Sequence, residues 1–560
     1  ETAATHAHGR GAPDAAAELI ELAAGLTPPA GVGWARRMAA AGRYRLMAGD
    51  VGQARELLEH ALEEPGAKEG PGRAELLFRL AVVRQLMDDF AASEELGRQA
   101  LQHAADDVPL TVQIKLLLAG ISFISGRTWS SGARHASEAM ELAEQLGDPR
   151  LLARTIGAYA TWRYATGHGY EPDLVRRAME LEPWTGHLRT LDLPEFDIAN
   201  IEGQEGQTAS AIARIGKLVE RAERDGDYSS LPFLLVTITN SDFLGGRKEV
   251  ARERIDRAMR LAQTTEQHTA LVHTRVGEAQ LEARLGNADR ALAAAHEAFA
   301  LMDATGWRVG DWWMRLDLAL LELSRGDAQA ALDVVSDAAT ERAGDESHRR
   351  LWAQPVASEA LVALGRHDEA RAALDALEEQ ARKPVPPTLK AVVLRARARL
   401  LAATGDLEGA ERAVEEAEAL HRRFEDGWEV ARTLLVAGEV YRRSRQRARA
   451  RAVLREALEV FSFLGAKLWA KQARESLARI GATRGEGGLT PTQRRVAELV
   501  ASGLTNRQAA DRLSMSAHTV DAHLKAIYRE LGINSRSQLA AALSTPARDS
   551  ADGLGDSVPS

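Results

Sequence analysis

The chain has 560 residues, too many for one ordinary hydrophobic core, so we expect several domains or one long repeat array. It has no cysteine, which excludes disulfides, thiolate metal sites and cysteine nucleophiles and is compatible with a reducing compartment. The net charge of −9 is unevenly distributed. Residues 490–543 hold seven basic and four acidic side chains and carry +3, while the rest of the chain carries −12. This distribution favours nucleic-acid contact at the C-terminal end only.

Residues 1–481 show a repeat. A glycine, or a stand-in such as Met87 or Arg445, begins twelve marks that recur at intervals of 38 to 41 residues. In ten of them alanine follows five residues later, as in Gly326–Ala331; the other two have Ser131 and Pro172. Glycine supplies the left-handed residue that ends a helix, and alanine lets the next helix pack closely. Since one helical hairpin cannot bury its apolar face but stacked hairpins can, we predict an all-α solenoid of tetratricopeptide-like hairpins.

The first mark is Gly11, and only ten residues precede it, which is too few for the first helix of its unit. The chain also opens on Glu1 rather than Met. We therefore expect the sequence to be the C-terminal part of a longer protein, with a frayed natural terminus or a trimmed chain as the alternatives.

The unit at Gly167 is irregular, because Pro172 replaces the alanine. A break in a solenoid with exposed aromatic side chains is a candidate ligand or partner groove, and core packing is the alternative reading. The residues of this candidate groove are Trp162, Tyr164, Tyr170 and Trp184; the Trp312–Trp313 pair is a second candidate.

No apolar run approaches the roughly 18 residues of a membrane-spanning helix, and the N-terminus lacks the apolar region of a signal peptide. We therefore expect a cytoplasmic protein that does not enter a membrane.

A glycine-rich linker is predicted at 482–489, a separate domain at 490–545 and a disordered tail at 546–560. Within the domain, Ser/Thr-x-x-Gln capping boxes open three helices, at Thr490, Thr505 and Ser535, and Gly503 and Gly532 end two. Four helices are therefore predicted, over 491–502, 506–513, 517–531 and 536–543. The three-residue turn between the second and third is the spacing of a helix-turn-helix.

The helix predicted at 517–531 has two faces. The apolar residues recur with spacings of four, three and four and would form the buried stripe, namely Val520, Leu524, Ile527 and Leu531. A second set lies two residues earlier, roughly 200° around the helix, and is small and basic: His518, Ala522, Lys525 and Arg529. A helix held by one face and basic on the other suits duplex DNA.

The segment "RRVAELVASGLTNRQAADRLSMSAHTVDAHLKAIYRELGINSRSQL" resembles the LuxR-type helix-turn-helix, and the repeats are similar to those of the large ATP-binding, MalT-like LuxR regulators. The resemblance implies a DNA-binding transcription regulator, with activation favoured, RNA polymerase as a partner, and a homodimer on paired half-sites with its last helix at the interface. The implied DNA contacts, with His518 and Arg529 added from the helical wheel, are Thr505, Asn506, Arg507, Ser516, His518, Thr519, Asp521, Ala522, Lys525 and Arg529. Asp521 departs from the family, where many members carry Lys, which leaves the operator sequence open.

We find no phosphate-binding loop of the form Gly-x4-Gly-Lys-Ser/Thr, no metal-ligand set and no catalytic constellation, so we expect no enzyme, cofactor or metal in this segment. The resemblance allows ATP through a domain upstream of residue 1. Two functions remain: a regulator whose repeats sense a small-molecule or protein effector, and an interaction scaffold with a vestigial helix-turn-helix.

Overall fold

The computed structural model describes most of the chain, and every structural statement concerns this described part. It comprises residues 1–10, 12–29, 33–48, 50–64, 69–104, 107–125, 129–185, 188–265, 267–340, 348–380, 386–424, 426–481, 491–513, 515, 517–531, 533–536 and 538–539. The described residues form α-helices, short 3-10 turns and connecting loops, which confirms the predicted all-α class. The predicted linker at 482–489 and the predicted tail at 546–560 lie outside the described residues.

Helices α1 to α25 build the repeat region and α26 to α28 the C-terminal domain. In chain order they are Thr2–Gly9, Pro13–Gly25, Trp34–Met47, Val51–Glu63, Gly70–Leu86, Phe90–His103, Val108–Ser125, Trp129–Leu146, Pro149–Ala165, Pro172–Glu180, Pro194–Gln204, Thr208–Asp225, Leu231–Leu244, Lys248–Thr264, His268–Leu285, Ala288–Thr305, Asp311–Arg325, Ala328–Thr340, His348–Ala363, His367–Gln380, Pro387–Thr404, Leu407–Arg423, Gly427–Arg443, Arg447–Leu464, Lys467–Gly481, Pro491–Ala501, Asn506–Leu513 and Ala517–Leu531. Before Gly11, where the sequence suggested too few residues for a helix, α1 forms over 8 residues.

The glycine–alanine pairs turn one helix into the next, as predicted. Gly326 ends α17 with φ of 88°, and its N–H donates to the carbonyl of Glu322. The next residue, Asp327, accepts from the Ala330 N–H at 3.0 Å and so caps α18. Ala331 is fully buried, which lets the two helices of the hairpin approach closely.

Two units lack the glycine and solve the turn differently. Arg445 adopts φ of 63° and takes the place of glycine directly. At the other unit Asp88, and not the predicted Met87, is the left-handed residue: Met87 ends α5 with φ of −89°, and Asp88 has φ of 61°. A short polar side chain tolerates this conformation better than a long apolar one. The marks at Gly11, Gly49 and Gly126 lie outside the described residues.

The unit at Gly167 is irregular in the structure as well. Helix α10 has only 9 residues, and the 3-10 turns Glu182–Trp184 and Thr190–Asp192 follow it before α11 begins at Pro194. Proline at position 172 fits the first turn of α10, where no backbone N–H is needed.

The expectation that no apolar run reaches the length of a membrane-spanning helix is wrong for α7. Its 18 residues are long and apolar enough to span a membrane by length and composition. Its apolar side chains are instead part of the repeat core. Leu110, Ile114, Leu118 and Ile121 pack with residues of α5 and α6 in one buried cluster. A helix that is apolar on most of its faces is expected in the interior of a helical array.

Units that are far apart in the sequence also touch, because the solenoid turns back on itself. The Thr388 hydroxyl donates to the Gln204 carbonyl at 2.6 Å, and the Gln472 amide donates to the carbonyls of Leu323 and Ser324 at 3.1 and 3.0 Å. We call this line of contacts, between residues 148 to 184 positions or about four to five units apart in the chain, the seam.

Candidate nucleic-acid interface

The C-terminal helices begin and end where the sequence signals predict. Gly503 has φ of 95°, and the Leu504 N–H donates to the Leu499 carbonyl at 3.2 Å, which closes α26. The Thr505 N–H donates to Gln508 Oε1 at 2.9 Å, and the Gln508 N–H donates to Thr505 Oγ1 at 3.3 Å. This reciprocal capping box starts α27, a helix of 8 residues that needs its end satisfied.

One face of α28 holds it in the domain. Val520 and Ile527 are fully buried and Leu524 is 5% exposed, and they pack against α26 and α27. Leu531, the fourth residue of the predicted stripe, packs against the same cluster, which also includes Ala497, Ala510, Met515 and Tyr528. The core therefore fixes the rotation of α28 about its axis and with it the opposite face.

The opposite face of α28 presents basic side chains to solvent. The Lys525 side chain is 77% exposed, and Arg529 is also exposed. The Lys525 ammonium lies 3.0 Å from a carboxylate oxygen of Asp521, one helical turn before it. The charge of the basic face is thus reduced by its own chain, a pairing that the four-residue spacing alone could have indicated.

The start of α27 carries the second group of predicted DNA contacts. Thr505 and Arg507 are exposed, whereas the side-chain oxygen of Asn506 accepts a bond from Arg536 at 3.1 Å. Arg536 also donates to the Leu504 carbonyl at 2.7 Å. Arg536, in the C-terminal segment, therefore orients the Asn506 side chain at the start of α27. The sequence predicted no DNA contact for Arg536, which is a positioning residue for Asn506.

Several predicted features lie outside what can be described. Ser516, Thr490 and Gly532 are outside the described residues. The backbone of α28 is described at three further predicted contacts, but the positions of their side chains are outside the described part, namely His518, Thr519 and Ala522. Of the predicted fourth helix, residues 536, 538 and 539 are helical, and Leu539 is fully buried in the domain core.

The predicted groove at the irregular unit is not an open aromatic surface. Trp162 is 3% exposed and packs with Ala119 and Ala136, and Tyr164 is 5% exposed. The Tyr164 hydroxyl donates to Glu205 at 3.0 Å, and burial raises the pKa of this phenol. Only Trp184 of the four is largely exposed, so the large rings are mostly helix-packing groups, as the alternative reading held.

Residues 488–543 match the family described as "Bacterial regulatory proteins, luxR family". Over 56 residues the chain is 52% identical to a protein of Mycobacterium tuberculosis described as an HTH-type transcriptional regulator, which is 10% of this chain and 6% of the relative. Over 67 residues it is 40% identical to the two-component response regulator PprB of Pseudomonas aeruginosa, covering 12% of this chain and 24% of the relative. The matches thus span a small part of these relatives.

Two solved structures align with most of the chain at low sequence identity. The match to a chain of the APC/C hetero-tetramer Cut9–Hcn1 has a TM-score of 0.49 and 12% identity and covers 97% of this chain and 95% of that chain. The match to yeast Tom70 has a TM-score of 0.29 and 14% identity and covers 86% and 95%. By the family match, the chain carries at residues 488–543 a LuxR-type helix-turn-helix, and this segment follows the region of helical hairpins.

Proposed function

We infer that this protein is a DNA-binding transcriptional regulator that places α28 in the major groove and is controlled through its repeat region. The observation that carries the proposal is the exposed basic face of α28, with Lys525 and Arg529 opposite the buried Val520 and Ile527. A recognition helix needs this combination, because one face must be held rigidly and the other must meet phosphates and base edges.

The proposal extends to a cytoplasmic activator that binds paired half-sites as a homodimer, contacts RNA polymerase and has no catalytic activity of its own. Support for this part comes from the LuxR-type domain alone. The count of protein chains on a defined operator duplex, measured by mass photometry, tests the dimer: two per operator are expected, and one would contradict it.

The test of DNA binding is its dependence on salt. We expect the full chain to bind a fluorescently labelled mixed-sequence duplex with an affinity that falls steeply as salt rises. In Lys525→Ala the slope of log affinity against log salt should decrease by about 0.9, because one phosphate contact is lost. Fluorescence anisotropy over a salt series measures both quantities.

Lys471→Ala is the matched control. Lys471 is 67% exposed and pairs at 3.8 Å with Glu475, four residues away, so it resembles Lys525 in exposure and pairing but lies in the repeat region. The control should leave DNA binding unchanged. Binding that does not depend on salt, or no binding to any duplex, would support the interaction-scaffold alternative instead.

A further inference from the structure

A cavity of about 430 Å³ lies among the helices from α11 to α23 of the solenoid. Seven successive units contribute their first helices to its wall, namely α11, α13, α15, α17, α19, α21 and α23. Its volume is within the range of about 300–1,000 Å³ that is usual for small-molecule sites. None of the four aromatic residues of the groove predicted near Gly167 lines it.

Aromatic rings form much of the apolar wall. The rings of Trp313 and Trp352 are half-buried, and their centroids are 5.5 Å apart. Phe243 and Trp428, also in the wall, meet edge to face, with their ring centroids 5.5 Å apart. Tryptophan and phenylalanine rings at such distances offer faces and edges against which another planar ring packs favourably.

Arg432 and His421, which also line the cavity, carry buried polar nitrogen atoms. Arg432 is 4% exposed and donates through Nη1 to Glu429 at 2.9 Å. Its Nη2 lies 3.5 Å from a Glu359 carboxylate oxygen without forming a hydrogen bond, and its Nε has no hydrogen-bond partner among the described residues. His421 is 2% exposed; its Nδ1 lies 2.9 Å from the Thr433 hydroxyl, and within the described part its Nε2 has no hydrogen-bond partner either. A guanidinium can only donate, so a ligand at this wall must supply an acceptor oxygen to offset the cost of burial.

The charges around the cavity balance. Two guanidiniums and three carboxylates line it. Glu359 pairs with the lining Arg432 and with two further arginines, which gives four charges of each sign: Arg284, Arg395, Arg399 and Arg432 against Asp317, Glu359, Asp426 and Glu429. Burial lowers the pKa of His273 to about 4 and that of His421 to about 3, so both histidines are neutral at pH 7. A charged ligand would find no free counter-charge here and would pay its full desolvation cost.

We propose that this cavity binds an uncharged small molecule that has an aromatic ring and a hydrogen-bond-accepting oxygen. The ring packs against Trp313 and Trp352, and the oxygen accepts from Arg432. The regulatory role of such a ligand rests on the proposed control through the repeats. The binding itself does not, because it is measured without DNA.

The cavity also lies on the seam. Gln204 and Thr208 on one side, and Thr388 and Phe424 on the other, line it and touch each other, with the Thr208 hydroxyl 3.5 Å from the Phe424 carbonyl. A bound molecule would contact helices from both sides of the seam at once. Ligand binding would therefore stabilise the closed arrangement of the solenoid by mass action.

Three probes of nearly identical shape test the assigned chemistry: benzamide is neutral, benzoate is an anion and benzamidinium is a cation. Saturation-transfer NMR on the ligand resonances, with the full chain and no DNA, gives the dissociation constant of each. We expect benzamide to bind saturably, and benzoate and benzamidinium to bind at least about tenfold more weakly because their charges are not compensated.

A cavity-filling variant locates the site. Thr237 lines the cavity and its hydroxyl donates to the Phe233 carbonyl four residues earlier at 2.9 Å. Thr264 makes the same bond to the Arg260 carbonyl at 2.8 Å but is exposed on α14, away from the cavity. Thr237→Trp should weaken benzamide binding at least about tenfold, and the matched control Thr264→Trp should leave it unchanged.

Each outcome decides the proposal. It is overturned if benzamide does not bind up to its solubility limit, if Thr237→Trp binds it as well as the native chain does, or if a charged probe binds as tightly or more tightly. Circular dichroism establishes whether Thr237→Trp is folded. If it is not, Trp352→Leu, which removes one ring of the wall, takes its place. Benzamide binding should again weaken at least about tenfold, and unchanged binding would overturn the proposal.

Discussion

The ion pair between Asp521 and Lys525 places a negative charge within the face of α28 that the DNA-binding proposal requires to be basic. An exposed pair of this kind stabilises the helix by only about 0.2–1 kcal/mol, so its removal should leave the fold intact. In the presence of DNA the carboxylate both repels phosphate and holds the ammonium away from it.

We therefore expect Asp521→Asn to bind mixed-sequence duplex DNA several-fold more tightly than the native chain, with a salt slope that is steeper by up to about 0.9. Anisotropy titrations at two salt concentrations measure both. Glu475→Gln, which removes the acidic partner of Lys471 in the repeats, is the control and should have no effect. An unchanged affinity in Asp521→Asn would mean that Lys525 does not approach phosphate.

Between α9 and α11, a carboxylate takes the place of apolar packing. Asp197 on α11 accepts from the Thr161 hydroxyl at 2.8 Å, and a Cβ added at Gly157 on α9 would lie 2.4 Å from its other oxygen. Glycine at 157 therefore makes room for this carboxyl group. Burial, opposed by the Thr161 bond and helped by the charge of Asp192, raises the pKa of Asp197 to about 7.

This raised pKa predicts how stability depends on pH. The folded state holds the Asp197 proton more tightly than the unfolded chain does, so the contribution of this group is fully present below about pH 4 and is lost as the pH rises toward about 7. Asp197→Asn should therefore be more stable than the native chain at pH 8, on the order of 2 kcal/mol, and the difference should disappear near pH 4. Urea midpoints at the two pH values measure this.

Asp368→Asn serves as the control for that comparison, because the Asp368 side chain is 99% exposed. Its urea midpoint should follow that of the native chain at both pH values. A pH-independent difference between Asp197→Asn and the native chain would show that the substitution acts through packing rather than through the proton.

At the scale of the molecule, local signals predicted the hairpins but not their closure. Glycine and alanine fix where one helix ends and how closely the next approaches, and the 3.6-residue period fixed which face of α28 is buried, as Val520 and Lys525 show. The seam depends instead on small rotations added over about five units, which no single stretch of sequence encodes. For the same reason Trp352 and Arg432, far apart in the chain, could not be assigned to one cavity.

The repeat glycines allow the seam to be tested directly. Gly206 and Gly365 both end a first helix in the left-handed conformation, with φ of 78° and 76°. A Cβ added at Gly206 would lie 2.5 Å from the Phe424 ring across the seam, whereas one added at Gly365 would meet no described atom within 4 Å. Alanine at either position costs about 1–2 kcal/mol of backbone strain, but only at Gly206 must a partner move as well.

We expect Gly206→Ala to lower the thermal unfolding midpoint more than Gly365→Ala does. Amide exchange should also increase in residues 386–424 in the first variant only, because displacement of Phe424 separates the two sides of the seam. Hydrogen-exchange mass spectrometry of the full chain measures exchange in residues 386–424 and in the rest of the chain in one experiment. Equal effects of the two substitutions would mean that the seam contributes nothing to stability, and each hairpin would then respond only to its own neighbours.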